Sequence, residues 1–236
     1  MIRTGRQQPS SLVTKTFNKY NTMKLSIILP VASYNVEWLD QSILSTAGLA
    51  DELVVVADEG CEFHPAFQNN PLVHQVITIR GPRCLASALN AGIAASGGDW
   101  FCFHCSDDYF EPAGMLKIKQ FAAGSDFDIV GGVAHSFGML GENLWPRSGD
   151  ISQLETICCI TSPALQRKTV WWKVGGYEHL RYLDWHYWKK AIKAGCRYHF
   201  CDELMFHYRC WPGTINAKYG YNDKLGHEWG NGPREH

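Results

Sequence analysis

The run LSIILPV at residues 25–31 carries an apolar side chain at nearly every position. A strand with one wet face would alternate apolar and polar residues, so a run this continuous reads as a strand covered on both faces. Such strands belong to parallel sheets clothed by helices, and the next segment agrees: Trp38, Ile43, Leu44 and Ala47 recur at helical spacing over residues 38–47. The alternation then repeats. ELVVVA at 52–57 reads as a second buried strand, and residues 76–79 as a short third one before Gly81-Pro82. Leu85, Ala88, Leu89 and Ile93 predict a helix over 83–95 that stops at Gly97-Gly98. DWFCFH at 99–104 is a fourth strand, and Pro112 opens a helix to residue 123.

The second half is less regular. It holds an apolar run at 128–133, a strand expected near 157–160, and an aromatic helix over 183–194 that ends at Gly195. This half is expected to face substrate as a lid. A chain of 236 residues suits one domain. The fold class read from these elements is α/β, one mixed sheet flanked by helices. Residues 1–22 are polar and basic without a sustained period, which predicts a loose arm, and residues 221–236 form a tail beyond the domain at 23–220.

A formal charge of −1 gives no general electrostatic reason to bind nucleic acid or an anionic membrane. No stretch approaches the roughly 20 apolar residues of an integral membrane segment, and the N-terminus lacks the apolar core of a secretory signal, so a cytoplasmic protein is expected. Nine scattered cysteines then read as reduced thiols. Cys201, His207 and Cys210 come nearest to a zinc pattern, but no second pair at finger spacing accompanies them.

The fourth strand runs into Cys105-Ser106-Asp107-Asp108. In open α/β sheets, ligands collect beyond the carboxyl ends of the strands, where this turn would project. Two adjacent carboxylates there are costly unless neutralised, and a divalent cation with oxygen ligands is one solution. The other is that they cap the helix opened by Pro112.

The segments SIILPVASYN, VVVADEGC, RCLASALNAGIAASGGDWFCFHCSDDYFEP, VGGYEHLRYLDWHYWKKAIKAG and FHYRCWPGTIN together resemble the family 2 glycosyltransferases, over residues 25–216. The resemblance implies a GT-A type, Rossmann-like mixed sheet, mostly parallel. It implies that Asp58 and Glu59 approach the nucleotide base and ribose, with Arg83, Asn90, Ser106 and Asp107 also at the donor. Asp107 and Asp108 would hold Mg²⁺ or Mn²⁺ against the diphosphate, with His207 as a further metal ligand and Arg209 reaching the diphosphate. Asp184 falls on the position of the catalytic base, although an Asp there also reads as a helix N-cap. Trp185, Tyr187 and Trp188 beside it suit sugar packing or, for at least two of them, the core. The chain departs from the family pattern at Cys105 for Asp, Leu183 for an acidic residue, Leu89 for Arg and Trp211 for His.

The expected function is transfer of a sugar from a nucleoside diphosphate sugar, a UDP-sugar foremost, to a hydroxyl of a glycan or related acceptor with inversion. The departures keep open a non-catalytic nucleotide-sugar or glycan-binding protein. A nucleotidyltransferase would need a Gly-rich basic phosphate loop after its first strand, which PVASYNVEW lacks.

Overall fold

The first apolar run forms strand β1 (Leu25–Val31), with all seven residues buried. The computed structural model of the chain describes residues 23–33, 35–80, 84–139, 141–146, 149–212 and 214. The arm at 1–22, the tail at 221–236 and Arg83 lie outside the described residues.

β1 is flanked on both sides by parallel strands, β2 (Glu52–Asp58) and β4 (Trp100–Phe103), and β3 (Gln75–Ile79) extends the sheet beyond β2, also parallel. Alternation along these strands divides the core into two layers. Ile27, Leu29, Leu53, Val55, Trp100 and Cys102 face helices α1 (Leu39–Leu44) and α3 (Pro112–Ala123). Ile28, Val54, Val56, Phe101 and Phe103 face α2 (Leu85–Ala95), α4 (Lys168–Val174) and α5 (Leu183–Lys193). Each large side chain fully buried this way stabilises the fold by about 1.5–3 kcal/mol relative to exposure. Helix α2 approaches the sheet closely because residue 92 is glycine: a Cβ there would lie 2.5 Å from Cγ2 of Ile28 and 2.8 Å from Cγ2 of Val56.

The second half completes the same sheet and is not a lid. β8 (Leu165–Arg167) pairs antiparallel with β4, and β6 (Ile129–Gly138) pairs with β8. β9 (Tyr198–Cys210) lies parallel to β6, and β5 (Tyr109–Phe110) closes that edge antiparallel to β9. The order is β3-β2-β1-β4-β8-β6-β9-β5, with β7 (Asn143–Trp145) added to β6, nine strands among the described residues. The longer ladders are parallel and the short ones antiparallel, which is the expected α/β class with a mixed, mostly parallel sheet. The strand expected at 157–160 is absent: Cys159 and Ile160 are buried, but in a loop leading to the Thr161–Ala164 turn, so burial there comes without a ladder. Among the described residues, no helix is long and apolar enough to cross a membrane.

Candidate functional site

β1, β2 and β4 run parallel, so their carboxyl ends lie on the same side of the sheet; β4 stops at Phe103, opposite Ile28 of β1, and delivers His104, Cys105, Ser106, Asp107 and Asp108 directly beyond it. The turn is fixed from below. The backbone N–H of Asp108 donates to the Cys105 carbonyl at 3.1 Å, and Ser106 Oγ donates to the Asn35 carbonyl at 2.7 Å, joining the turn to the loop after β1. Nδ1 of the buried His104 lies 3.0 Å from the Cys105 carbonyl and 3.3 Å from Ser42 Oγ of α1.

The end of β9 fixes the turn from above. The Arg209 backbone N–H donates to Oδ1 of Asp108 at 2.9 Å, and its Nε donates to the Asp107 carbonyl at 2.9 Å. The guanidinium also reaches Gln41 Oε1 at 2.7 Å and is held between the rings of Trp38 and Phe137, 4.7 and 4.8 Å from their centroids. Trp211 Nε1 donates to Oδ2 of Asp107 at 2.8 Å. These bonds exclude the capping alternative, since α3 takes Glu111 as its N-cap and has no side-chain cap bond.

Asp107 and Asp108 are only 7% and 5% exposed. Burial and the neighbouring Asp107 carboxylate push Asp108 well above the usual carboxylate range, and Arg209 offsets part of this. Cys105, Asp107 and Asp108 each offer a ligand atom, all within 4.8 Å of one another. Burial, then Asp107, Asp108 and Asp184, push the Cys105 thiol up, so it stays a protonated, soft and poor ligand. The carboxylate oxygens are the donors that suit a hard divalent cation, so the residues fit Mg²⁺ or Mn²⁺.

Asp184 sits in the first turn of α5. The N-cap position belongs to Tyr182, in the left-handed region at φ 54°, so Asp184 is not the cap. Its Oδ2 accepts the hydroxyl hydrogen of Ser162, and its charge acts on the Cys105 thiol, which ties it to the acidic turn.

The remaining sequence-predicted residues divide. Asp58 is buried at the carboxyl end of β2, and the adjacent Glu59 is exposed, 3.5 Å from Arg80. Asn90 spends both ends of its amide inside the protein. Its Oδ1 accepts from Trp171 Nε1 and the Tyr177 backbone N–H, each at 2.9 Å, and its Nδ2 donates to the Tyr177 carbonyl at 2.8 Å. That fastens α2 to the Gly175-Gly176 turn, where φ is +79° and +82°. His207 lies outside the group of converging metal-ligand atoms: Nε2 faces Glu111 at 3.1 Å, Nδ1 faces His135 Nδ1 at 3.0 Å, and its ring stacks on Tyr109. Tyr187 and Trp188 are core, while Trp185 is half-buried with its indole N–H on the Leu154 carbonyl. Sequence reasoning missed Ser162, Gln41 and Trp38 as parts of the site. In the sequence Trp211 stands out only as the loss of an imidazole, and the available signal is an indole N–H two residues beyond Arg209 that can be matched with an acidic turn.

A crystal structure of S. aureus TarS in complex with UDP-GlcNAc superposes with a TM-score of 0.69 at 17% identity, over 85% of this chain and 62% of that one. A crystal structure of S. aureus TarS gives a TM-score of 0.62, also at 17% identity, over 80% of this chain and 37% of that one. This chain thus spans less than two thirds of the TarS chains it resembles, and at that identity the likeness speaks to the fold. No curated protein matches the chain. The family described as Glycosyl transferase family 2 matches residues 26–188, from the first residues of β1 through Asp184 to Trp188 of α5. That stretch holds the acidic turn and most of the sheet, and the chain belongs to glycosyl transferase family 2.

Proposed function

We propose that this chain transfers a sugar from a nucleoside diphosphate sugar, a UDP-sugar by its likeness to TarS bound to UDP-GlcNAc, to a hydroxyl of a glycan or other acceptor, with inversion. The observation that carries this reading is the convergence of Cys105, Asp107 and Asp108 at the carboxyl end of β4.

In this reading Asp184 is the general base. The acceptor hydroxyl loses its proton to Asp184 as its oxygen bonds to the anomeric carbon. The bond from that carbon to the diphosphate oxygen breaks on the opposite side, and the nucleoside diphosphate leaves with the electron pair. Ser162 occupies one oxygen of Asp184, and the other is the oxygen assigned to the proton. Asp107 and Asp108 would hold Mg²⁺ or Mn²⁺, which when bound would supply positive charge for the departing diphosphate. Asp58 and Glu59 are assigned to the nucleoside, Ser106 to the floor of the donor site, and Arg83 to the phosphates. Arg209, committed to the acidic turn and Gln41, shapes the donor site. A reducing, cytoplasmic setting, in which the nine cysteines of the chain would stay thiols, belongs to the same reading.

The test is Asp184→Asn. The variant should bind the donor as the parent does while losing UDP release from UDP-GlcNAc by a factor of about 10²–10⁴. Undiminished turnover would remove Asp184 from the mechanism. A parent protein that binds the donor but turns over none, with glycan acceptors or water, would favour the non-catalytic binding reading.

A further inference from the structure

Each carboxylate of the acidic turn has one oxygen taken by the end of β9. Oδ1 of Asp108 accepts from the Arg209 backbone, and Oδ2 of Asp107 accepts from Trp211 Nε1. The other oxygen of each has no protein donor among the described residues. Both residues are more than nine-tenths buried, and these two oxygens are the ones left open to a ligand.

The two fastening bonds differ in kind. The bond to Asp108 comes from the main chain, and no substitution at 209 other than proline removes its donor. The bond to Asp107 comes from one indole, and that indole is itself located: its ring meets Trp38 edge to face at 5.0 Å, and Trp38 carries the Arg209 guanidinium on its own face. The backbone N–H of Thr214 closes a turn on the Trp211 carbonyl at 3.0 Å, which fixes the main chain from which the indole projects. An indole N–H donates only, so it can satisfy a carboxylate but cannot bind a cation.

We propose that Trp211 is a positioning residue for the divalent cation: it holds Asp107 by one oxygen and orients the carboxylate so that its other oxygen serves the metal beside Asp108. This rests on the metal assignment of the proposed function. Partners that orient metal-ligating carboxylates from behind contribute about 10–100-fold to metal affinity.

The experiment measures Mn²⁺ affinity alone, by electron paramagnetic resonance of free Mn²⁺ titrated against the full chain, with no donor or acceptor present. Trp211→Phe keeps the aromatic packing on Trp38 and deletes the N–H. The expected result is at least a tenfold weaker Kd than the parent's. An unchanged or tighter Kd would overturn the proposal while leaving the metal assignment intact. A parent that binds no Mn²⁺ would overturn both. Should Trp211→Phe fail to fold, ¹⁵N-tryptophan labelling of the parent gives the answer: the Trp211 indole resonance, assigned through its contact with Trp38, should move on adding Mg²⁺, and an unmoved resonance at saturation would refute the role.

Discussion

Ser162 donates its hydroxyl hydrogen to Oδ2 of Asp184, fastening the first turn of α5 to the loop before β8. Ser162 is anchored on its own side by the turn that the Ala164 N–H closes on the Thr161 carbonyl, and Thr161, Ala164 and Leu165 around it are fully buried. Asp184 is therefore aimed by a rigid neighbour. Ser162→Ala removes a hydrogen bond to a charged group, worth about 1.5–3 kcal/mol. It should lower kcat for UDP-sugar turnover by about 10–100-fold with donor Kd unchanged, and Ser162→Thr should restore most of the loss. Steady-state kinetics beside a donor titration separate the two effects; a loss confined to donor affinity would contradict an orienting role.

Asn90 gives a second outcome, on stability. Asn90→Ala would leave Trp171 Nε1 and the Tyr177 N–H without their acceptor at the junction of α2 with the Gly175-Gly176 turn. Unsatisfied donors of this kind cost about 1–3 kcal/mol each. The variant should unfold at distinctly lower urea concentration than the parent, while UDP affinity of the folded protein stays within twofold. A selective loss of UDP affinity with stability intact would return Asn90 to the donor site.

The sequence carried the first half of the sheet well because its strands are buried on both faces, and LSIILPV and ELVVVA have no other economical reading. α3 was legible from Pro112 at its first turn, and it runs to Ala123 as expected. β9 was not, because most of its thirteen residues are only half-buried and no clean alternation survives. β8 is three residues long and draws its place from β4 and β6 on either side, which no local pattern encodes. At the site, the acidic turn and Asp184 were legible as residue types in a known order. Their fastenings were not: Trp211 with Asp107, Arg209 with Asp108 and Ser162 with Asp184 join segments 104, 101 and 22 residues apart.

His104 predicts a pH dependence. Burial drives its pKa from 6.5 down to about 4 in the folded protein, and its Nε2 has no hydrogen-bond partner. Between those values only the unfolded chain takes up the proton, so His104 makes stability fall as pH drops through that window and has no effect well above it. Its share between pH 7 and pH 5 is about 2 kcal/mol. Urea unfolding in the presence of a chelator should show this loss in the parent and a correspondingly smaller one in His104→Gln. Asp108, shifted upward, acts in the opposite direction in both proteins and cancels in the difference. Equal pH slopes would mean that His104 is not held neutral by burial.

The most direct test of the central claim is calorimetric titration of the chain with UDP and with GDP, each with and without Mn²⁺, repeated on Asp108→Ala. UDP should bind in the presence of Mn²⁺, bind far more weakly without it, and lose the metal-dependent part in Asp108→Ala. UDP binding that is indifferent to Mn²⁺ and to Asp108, or no binding of either nucleotide, would contradict the assignment of the acidic turn as a metal-dependent donor site.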